Sequence, residues 1–307
     1  MKRKVTLKGI FEIIKSTFKG FSDNKVPKLS GSLAYCTVFS LGPLLIIIIG
    51  VCGIFWGRQA IEGKIYGQFE SFMGHNTALQ LQEIIKNASI SGKGKWAAII
   101  GVITLLIGAT SVFAEIQDSI NTIWGLKPKP RKGWLKLIVN RLLSFSVIVS
   151  LGFILLVSLG FSAIIEGWGN HMSASLKGIA VTSIFIATQL FNFIITGIMF
   201  AIIFKVLPDA QIRWKDIIAG GLVTAFLFTI GKSAISIYIS KTNTGSVFGT
   251  AGSLVILLVW VYYSSIILYL GAEFTKVYAK TFGAEIRPSS YAVTTKEIEV
   301  ETNKKTV

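Results

Sequence analysis

The chain has 307 residues, 52% of them hydrophobic and 15% charged, with a mean hydropathy of +0.64. Soluble domains carry about a quarter charged residues, so this composition excludes an ordinary water-soluble domain and points to a membrane protein. The formal net charge of +16 would suit nucleic acid, but the basic residues follow alternate connections between apolar runs, and that pattern argues against it.

A bilayer core of roughly 30 Å needs about 20 apolar residues per helix. Six runs qualify: 31–56, 96–114, 137–165, 178–204, 217–239 and 251–275. The expected fold is an all-α polytopic bundle of six transmembrane helices preceded by an amphipathic helix. A cytoplasmic segment 1–28, a membrane domain 29–276 and a disordered cytoplasmic tail 277–307 would divide the chain.

Within the first segment, LKGIFEIIKSTFKGF places Leu7, Ile10, Phe11, Ile14, Phe18 and Phe21 at helical spacing, with Lys8, Lys15 and Lys19 elsewhere on the wheel. Two uses share that apolar face: lying in the cytoplasmic interface and docking on the ends of the bundle. No cleavable signal peptide is apparent before the first span, which is expected to stay in the membrane as a signal anchor. Pro43 near its middle removes one backbone hydrogen bond and presses on the carbonyl of Phe39, giving either a packing kink or a break that lines a ligand path. Cys36 and Cys52, the two cysteines, lie about 24 Å apart along that helix and cannot bridge each other.

The segment 58–95 is the long external connection, and its mixed composition predicts short helices over the outer face. His75 there and His171 in the short external loop have no neighbouring ligand residues, so no metal site is expected. The second helix can continue beyond 114 through Glu115 to Trp124. LKPKPRKGWLK then reads as a stiff basic turn, and Asn140 and Arg141 open the third span.

Ionisable and amide groups inside spans are costly and mark the first places to look for function. The fourth span carries Thr182, Gln189, Asn192 and Thr196 on one face, which either lines a polar path or joins helices by hydrogen bonds. Lys232 in the fifth span either snorkels to the outer interface or turns inward to an anionic group such as Glu166. At the cytoplasmic ends gather Glu115, Asp118, Asn121, Arg141 and Glu273. Glu273 closes the sixth run, where the macrodipole disfavours a carboxylate, so it requires a basic partner, Arg141 or Lys276. A structural ion pair and a gating group both fit it.

Of the 31 Lys and Arg, 23 fall in four segments: 8 before Leu29, 6 between Gly125 and Arg141, 3 between Lys205 and Asp216, and 6 after Thr275. The positive-inside rule then puts both termini in the cytoplasm, and the basic face would meet anionic lipid headgroups.

Four patterns go beyond hydropathy: SLAYCTVFSLGPLL, NTIW, LPDAQIRWKDIIAGG and VFGTAGSLVILLVWVYYSSIILYLGAEF. Together they resemble the YihY/virulence factor BrkB family of bacterial inner-membrane proteins, from about Leu29 to Lys280. The resemblance implies a six-helix bundle with cytoplasmic termini, and it is associated with serum resistance and with transport or export. An older label within that family, ribonuclease BN, requires a compact His/Asp cluster for metal, which this sequence lacks. No P-loop or nucleophile elbow occurs either, so the chain reads as a non-enzyme without cofactor. The expected function is a permease or exporter of a small solute, ion or lipid-linked substrate, whose polar path uses Pro43, Gln189, Asn192, Thr196 and Lys232. The alternative is a non-transporting protein that organises the envelope through lipid or protein partners. A homo-oligomer is compatible with either.

Overall fold

The computed structural model describes residues 7–73, 95–129, 179–241, 252–289 and 292–295, with 75, 78, 79, 82 and 83. These residues are mostly helical. In chain order they form α1 (Leu7–Asp23), α2 (Val26–Trp56), α3 (Arg58–Met73), α4 (Lys95–Trp124), α5 (Ile179–Val206), α6 (Trp214–Lys241) and α7 (Gly252–Phe282). Four short strands join them: β1 (Leu126–Pro128), β2 (Ala210–Gln211), β3 (Arg287–Pro288) and β4 (Ala292–Thr294).

Five helices have 28 to 31 residues, about 42–46 Å at 1.5 Å per residue. Segments 186–206, 214–235 and 254–282 are long and apolar enough to cross a membrane. The third expected span, 137–165 with Arg141, and His171 lie outside the described residues. Pro43 sits inside α2, whose helix runs through it to Trp56. α4 is continuous from Lys95 to Trp124, so the second apolar run does extend past 114.

Small residues set the closest helix crossings. A Cβ on Gly220 of α6 would fall 1.9 Å from Thr275 Oγ1 of α7, and one on Gly271 of α7 would fall 2.0 Å from Thr224 Oγ1 of α6. The two Gly–Thr pairs are reciprocal, as close antiparallel packing through small residues requires. α5 and α6 meet where a Cβ on Gly221 would touch the Gly197 carbonyl at 2.7 Å. α2 joins α4 through Ser40 Oγ and Ser111 Oγ, 2.6 Å apart, and joins α7 through Ala34, Leu41, Leu45, Leu257 and Val261. The larger apolar cluster, around Ile120, Ile123, Phe204, Ile217 and Tyr269, gathers at one end of the bundle.

Two expectations change. The sixth run does not stop at Thr275, because α7 continues to Phe282. The chain after 276 is not wholly a disordered tail either: β4 pairs antiparallel with β1, setting Leu126 opposite Thr294, and β3 pairs with β2, setting Ala210 opposite Pro288. Gly125 ends α4 with a positive φ of 68°, and its carbonyl accepts the Thr295 amide at 2.8 Å. The backbone groups that leave the helices thus find partners in one another. In the 58–95 connection α3 is followed by further helical residues at 75, 78, 79, 82 and 83, and His75 Nδ1 lies 2.8 Å from Glu70 Oε1 and 2.7 Å from the Tyr66 hydroxyl.

Candidate functional site

The strand pairs and the contacts below bring α1, the end of α4, the α5–α6 turn and the end of α7 to one end of the bundle. The described basic residues of the segments before 29, after 125, between 205 and 216 and after 275, among them Lys25, Lys127, Arg213 and Lys276, therefore share that end. A layer of buried polar groups lies beneath them.

Glu273 is its centre. One turn of α7 beyond the fully buried Tyr269, its side chain is 1% exposed. Asn24 Nδ2, just past the end of α1, donates to Oε1, and Lys276 Nζ stands 3.7 Å from Oε2, an ion pair longer than a hydrogen bond. The carboxylate is pressed against α1 so closely that a Cβ on Gly20 would lie 2.6 Å from Oε2. Among the described residues the basic partner is thus Lys276; Arg141, the partner preferred from the sequence, lies outside them. The reason given for it needs revision, because α7 runs about two and a half turns past Glu273 and the carboxylate is not at the helix end. Burial, rather than the macrodipole, is what demands a partner.

Lys276 also donates to the Ile123 carbonyl at 2.6 Å, and Trp124 Nε1 donates to the Ala272 carbonyl at 3.0 Å. These bonds tie α4 to α7. Ser119 of α4 lies beside Tyr269, with the two hydroxyls outside hydrogen-bond geometry. Glu115, half-buried one turn earlier, is within electrostatic reach of both Cys36 and Tyr269. Asp118 is exposed.

A second knot forms around Asp209 in the α5–α6 turn. Gln117 Nε2 and Asn121 Nδ2 each donate to its carboxylate at 3.1 Å, while the Asp209 amide donates to Asn121 Oδ1 at 2.8 Å. Its own carbonyl accepts the Ser289 amide at 3.0 Å. Nearby, buried Asp216 accepts from Arg213 Nε at 3.1 Å and lies against Gly283. Asn121 was among the expected cytoplasmic residues, whereas Asp209 and Asp216 were not. Their signal was the spacing of acidic residues within LPDAQIRWKD, a turn too short to leave them all in water.

The residues expected along a polar path behave differently. Gln189 and Asn192 are exposed, and neither side-chain amide has a hydrogen-bond partner among the described residues. Thr196 is half-buried and donates to the Asn192 carbonyl at 2.8 Å. Ile186, Leu190, Ile194 and Ile198 form the exposed apolar ridge of α5. Asn192 lies about 160° around the helix from Ile194, so the amides are on another flank. Lys232 is exposed. Among the described residues no group of three or more His, Cys, Asp or Glu could hold a metal ion.

The model of the family described as virulence factor BrkB matches residues 17–294. The chain belongs to that family. Curated relatives include a UPF0761 membrane protein of Ralstonia nicotianae, 26% identical over 81% of this chain and 55% of its own length. Another, from Tolumonas auensis, is 28% identical over 82% of this chain and 80% of its own. A third, from Nitrosospira multiformis, is 26% identical over 82% of this chain and 57% of its own. The chain thus spans little more than half the length of two of these relatives. No solved structure matches.

The family match takes in every motif that carried the resemblance. NTIW and LPDAQIRW meet at the Asn121–Asp209 bonds, between residues 88 positions apart. LGAEF supplies Glu273, and the same stretch supplies the Ala272 carbonyl bound by Trp124 of NTIW. Taken together, these contacts fix helix ends to one another and leave few of their polar atoms open to a substrate.

Proposed function

We propose that the chain is a multi-pass permease of the bacterial cytoplasmic membrane, with six spans and both termini inside the cell, that moves a small solute, an ion or a lipid-linked substrate. The observation that carries this reading is the pair of amides on α5. Gln189 and Asn192 are exposed near the middle of an apolar 28-residue helix, away from its ridge of Ile and Leu. An unsatisfied polar group against hydrocarbon costs several kcal/mol, on the order of 2–7, so that flank is better suited to water or substrate than to lipid. The orientation is supported by the gathering of the described basic residues of four segments at one end of the bundle. The sequence has no P-loop, so movement would be driven by a gradient or by a partner, and the reading includes no catalytic step.

Replacing Gln189 and Asn192 together by Leu tests it. In reconstituted vesicles, flux lost at unchanged thermal stability is the expected result. Stability lost while the surviving protein keeps its flux would contradict the path. The envelope-organising reading is favoured by one observation, the uncovered apolar face of α1.

A further inference from the structure

The first helix presents three stripes where an ordinary amphipathic helix has two. Ile13 and Thr17 are buried, at 3% and 5% exposure, and Gly20 abuts Glu273. These three residues form the stripe turned to the bundle. Ile10, Phe11, Ile14 and Phe18 remain uncovered, with Phe11 69% and Phe18 61% exposed. At 3.6 residues per turn they span an arc of about 100° beside the docked stripe. Lys15 and Lys19 follow on the next arc, adjoining Phe11. Glu12 and Asp23 fall beyond the lysines, away from the aromatic side chains.

Docking on the bundle therefore leaves most of the apolar face of α1 uncovered. It uses Ile13, Thr17 and Gly20, with Phe21 packed on the core, and is held by the Asn24–Glu273 bond and by the close approach at Gly20. We propose that the uncovered stripe of α1 is a seat for the anionic cytoplasmic surface of the bilayer, with Phe11, Ile14 and Phe18 in the acyl boundary and the lysines among acidic headgroups.

Charge and geometry select this occupant. An apolar arc bordered on one side by lysines is the pattern that partitions into an interface, since acyl contact and headgroup attraction act together. A second copy meeting the same stripe about a twofold axis perpendicular to α1 would set the two lysine arcs side by side. The neighbouring α5–α6 turn repeats the chemistry: Trp214 is exposed, with the Lys205 ammonium 5.5 Å from its ring centre, and aromatic residues with nearby cations gather at headgroup level. Glu273 then acts as a mount, fixing the rotation of α1 so that this stripe, rather than the Glu12 side, meets lipid.

The test uses the whole chain with Cys36→Ser and Cys52→Ser, carrying an environment-sensitive fluorophore at Phe18→Cys or at Ser16→Cys. The protein is reconstituted in phosphatidylcholine alone or mixed with phosphatidylglycerol. At position 18 the emission should shift to the blue and be quenched by a lipid-borne quencher, more strongly when phosphatidylglycerol is present. At position 16 aqueous iodide should quench instead. Adding Lys15→Gln and Lys19→Gln should abolish the phosphatidylglycerol effect while leaving the blue shift. Equal iodide quenching at the two positions would overturn the proposal in favour of a soluble partner's site. In the unlabelled Phe18→Cys protein, a disulfide formed between two copies under an added thiol oxidant would overturn it in favour of self-association, and an unchanged phosphatidylglycerol effect in the lysine variant would overturn the role of the charge.

Discussion

Gly20→Ala is the sharpest probe of how α1 is mounted. In an open helical position, replacing Gly by Ala stabilises by up to about 1 kcal/mol. At Gly20 the added Cβ would lie 2.6 Å from Glu273 Oε2, 2.9 Å from Cδ and 3.2 Å from Oε1. The carboxylate is held by Asn24 and Lys276 and is 1% exposed, so it has little room to retreat. Overpacking of this kind costs about 1–3 kcal/mol, enough to cancel or reverse the propensity gain. Gly31 in α2 supplies the control, because a Cβ there meets nothing within 4 Å. Gly31→Ala should therefore raise the apparent Tm in detergent, and Gly20→Ala should leave it unchanged or lower it. The two variants should differ by about 1–3 kcal/mol, or several degrees at roughly 2–4 °C per kcal/mol. If Gly20→Ala stabilises as Gly31→Ala does, Glu273 is not seated against α1, and the mounting argument fails.

Three further outcomes follow from the packing and the charge distribution. Gly220→Ala should destabilise by about 1–3 kcal/mol because its Cβ would meet Thr275 Oγ1 at 1.9 Å, and Thr275→Ala should restore most of the loss; additive effects in thermal unfolding would show that the two do not touch. Asp209→Ala strands the Gln117 and Asn121 donors, at about 1–3 kcal/mol for each buried group left unpaired, and a change well under 1 kcal/mol in chemical unfolding would count against a buried network. With the native cysteines removed, Thr77→Cys should react with a membrane-impermeant maleimide in intact cells, whereas Lys129→Cys should react only after lysis; the reverse pattern would invert the topology.

Much of the helical architecture could be read locally. Apolar runs longer than a bilayer requires gave α5, α6 and α7 within a few residues at most ends, and Gly125 and Gly57, with positive φ, mark breaks a sequence can announce. The amphipathic pattern of α1 was equally legible, but not the face it docks with. That face depends on Gly20, whose lack of a side chain gives no periodic signal, and on Glu273, 249 positions beyond Asn24. Glu273 stood out as a carboxylate after a long uncharged run. Its helix continued because Lys276 and the residues to Phe282 pack on the bundle, which composition alone does not reveal. Asp209 and the strand pairs escaped for a related reason: a two- or three-residue ladder between segments some 80 to 170 positions apart has no local pattern. The amides of α5 were recognised, and their exposure on a flank separate from the apolar ridge came only from the structure.

Water access at the middle of α5 is the claim on which the permease reading rests. In a cysteine-free background, Asn192→Cys should be modified by a membrane-impermeant, water-soluble methanethiosulfonate reagent, because the reacting thiolate forms only where water reaches it. Ile194→Cys, on the exposed apolar ridge, should stay unmodified under the same conditions. Protection of Asn192→Cys to the same degree as Ile194→Cys would mean that the flank is dry, and the permease path through α5 would have to be abandoned.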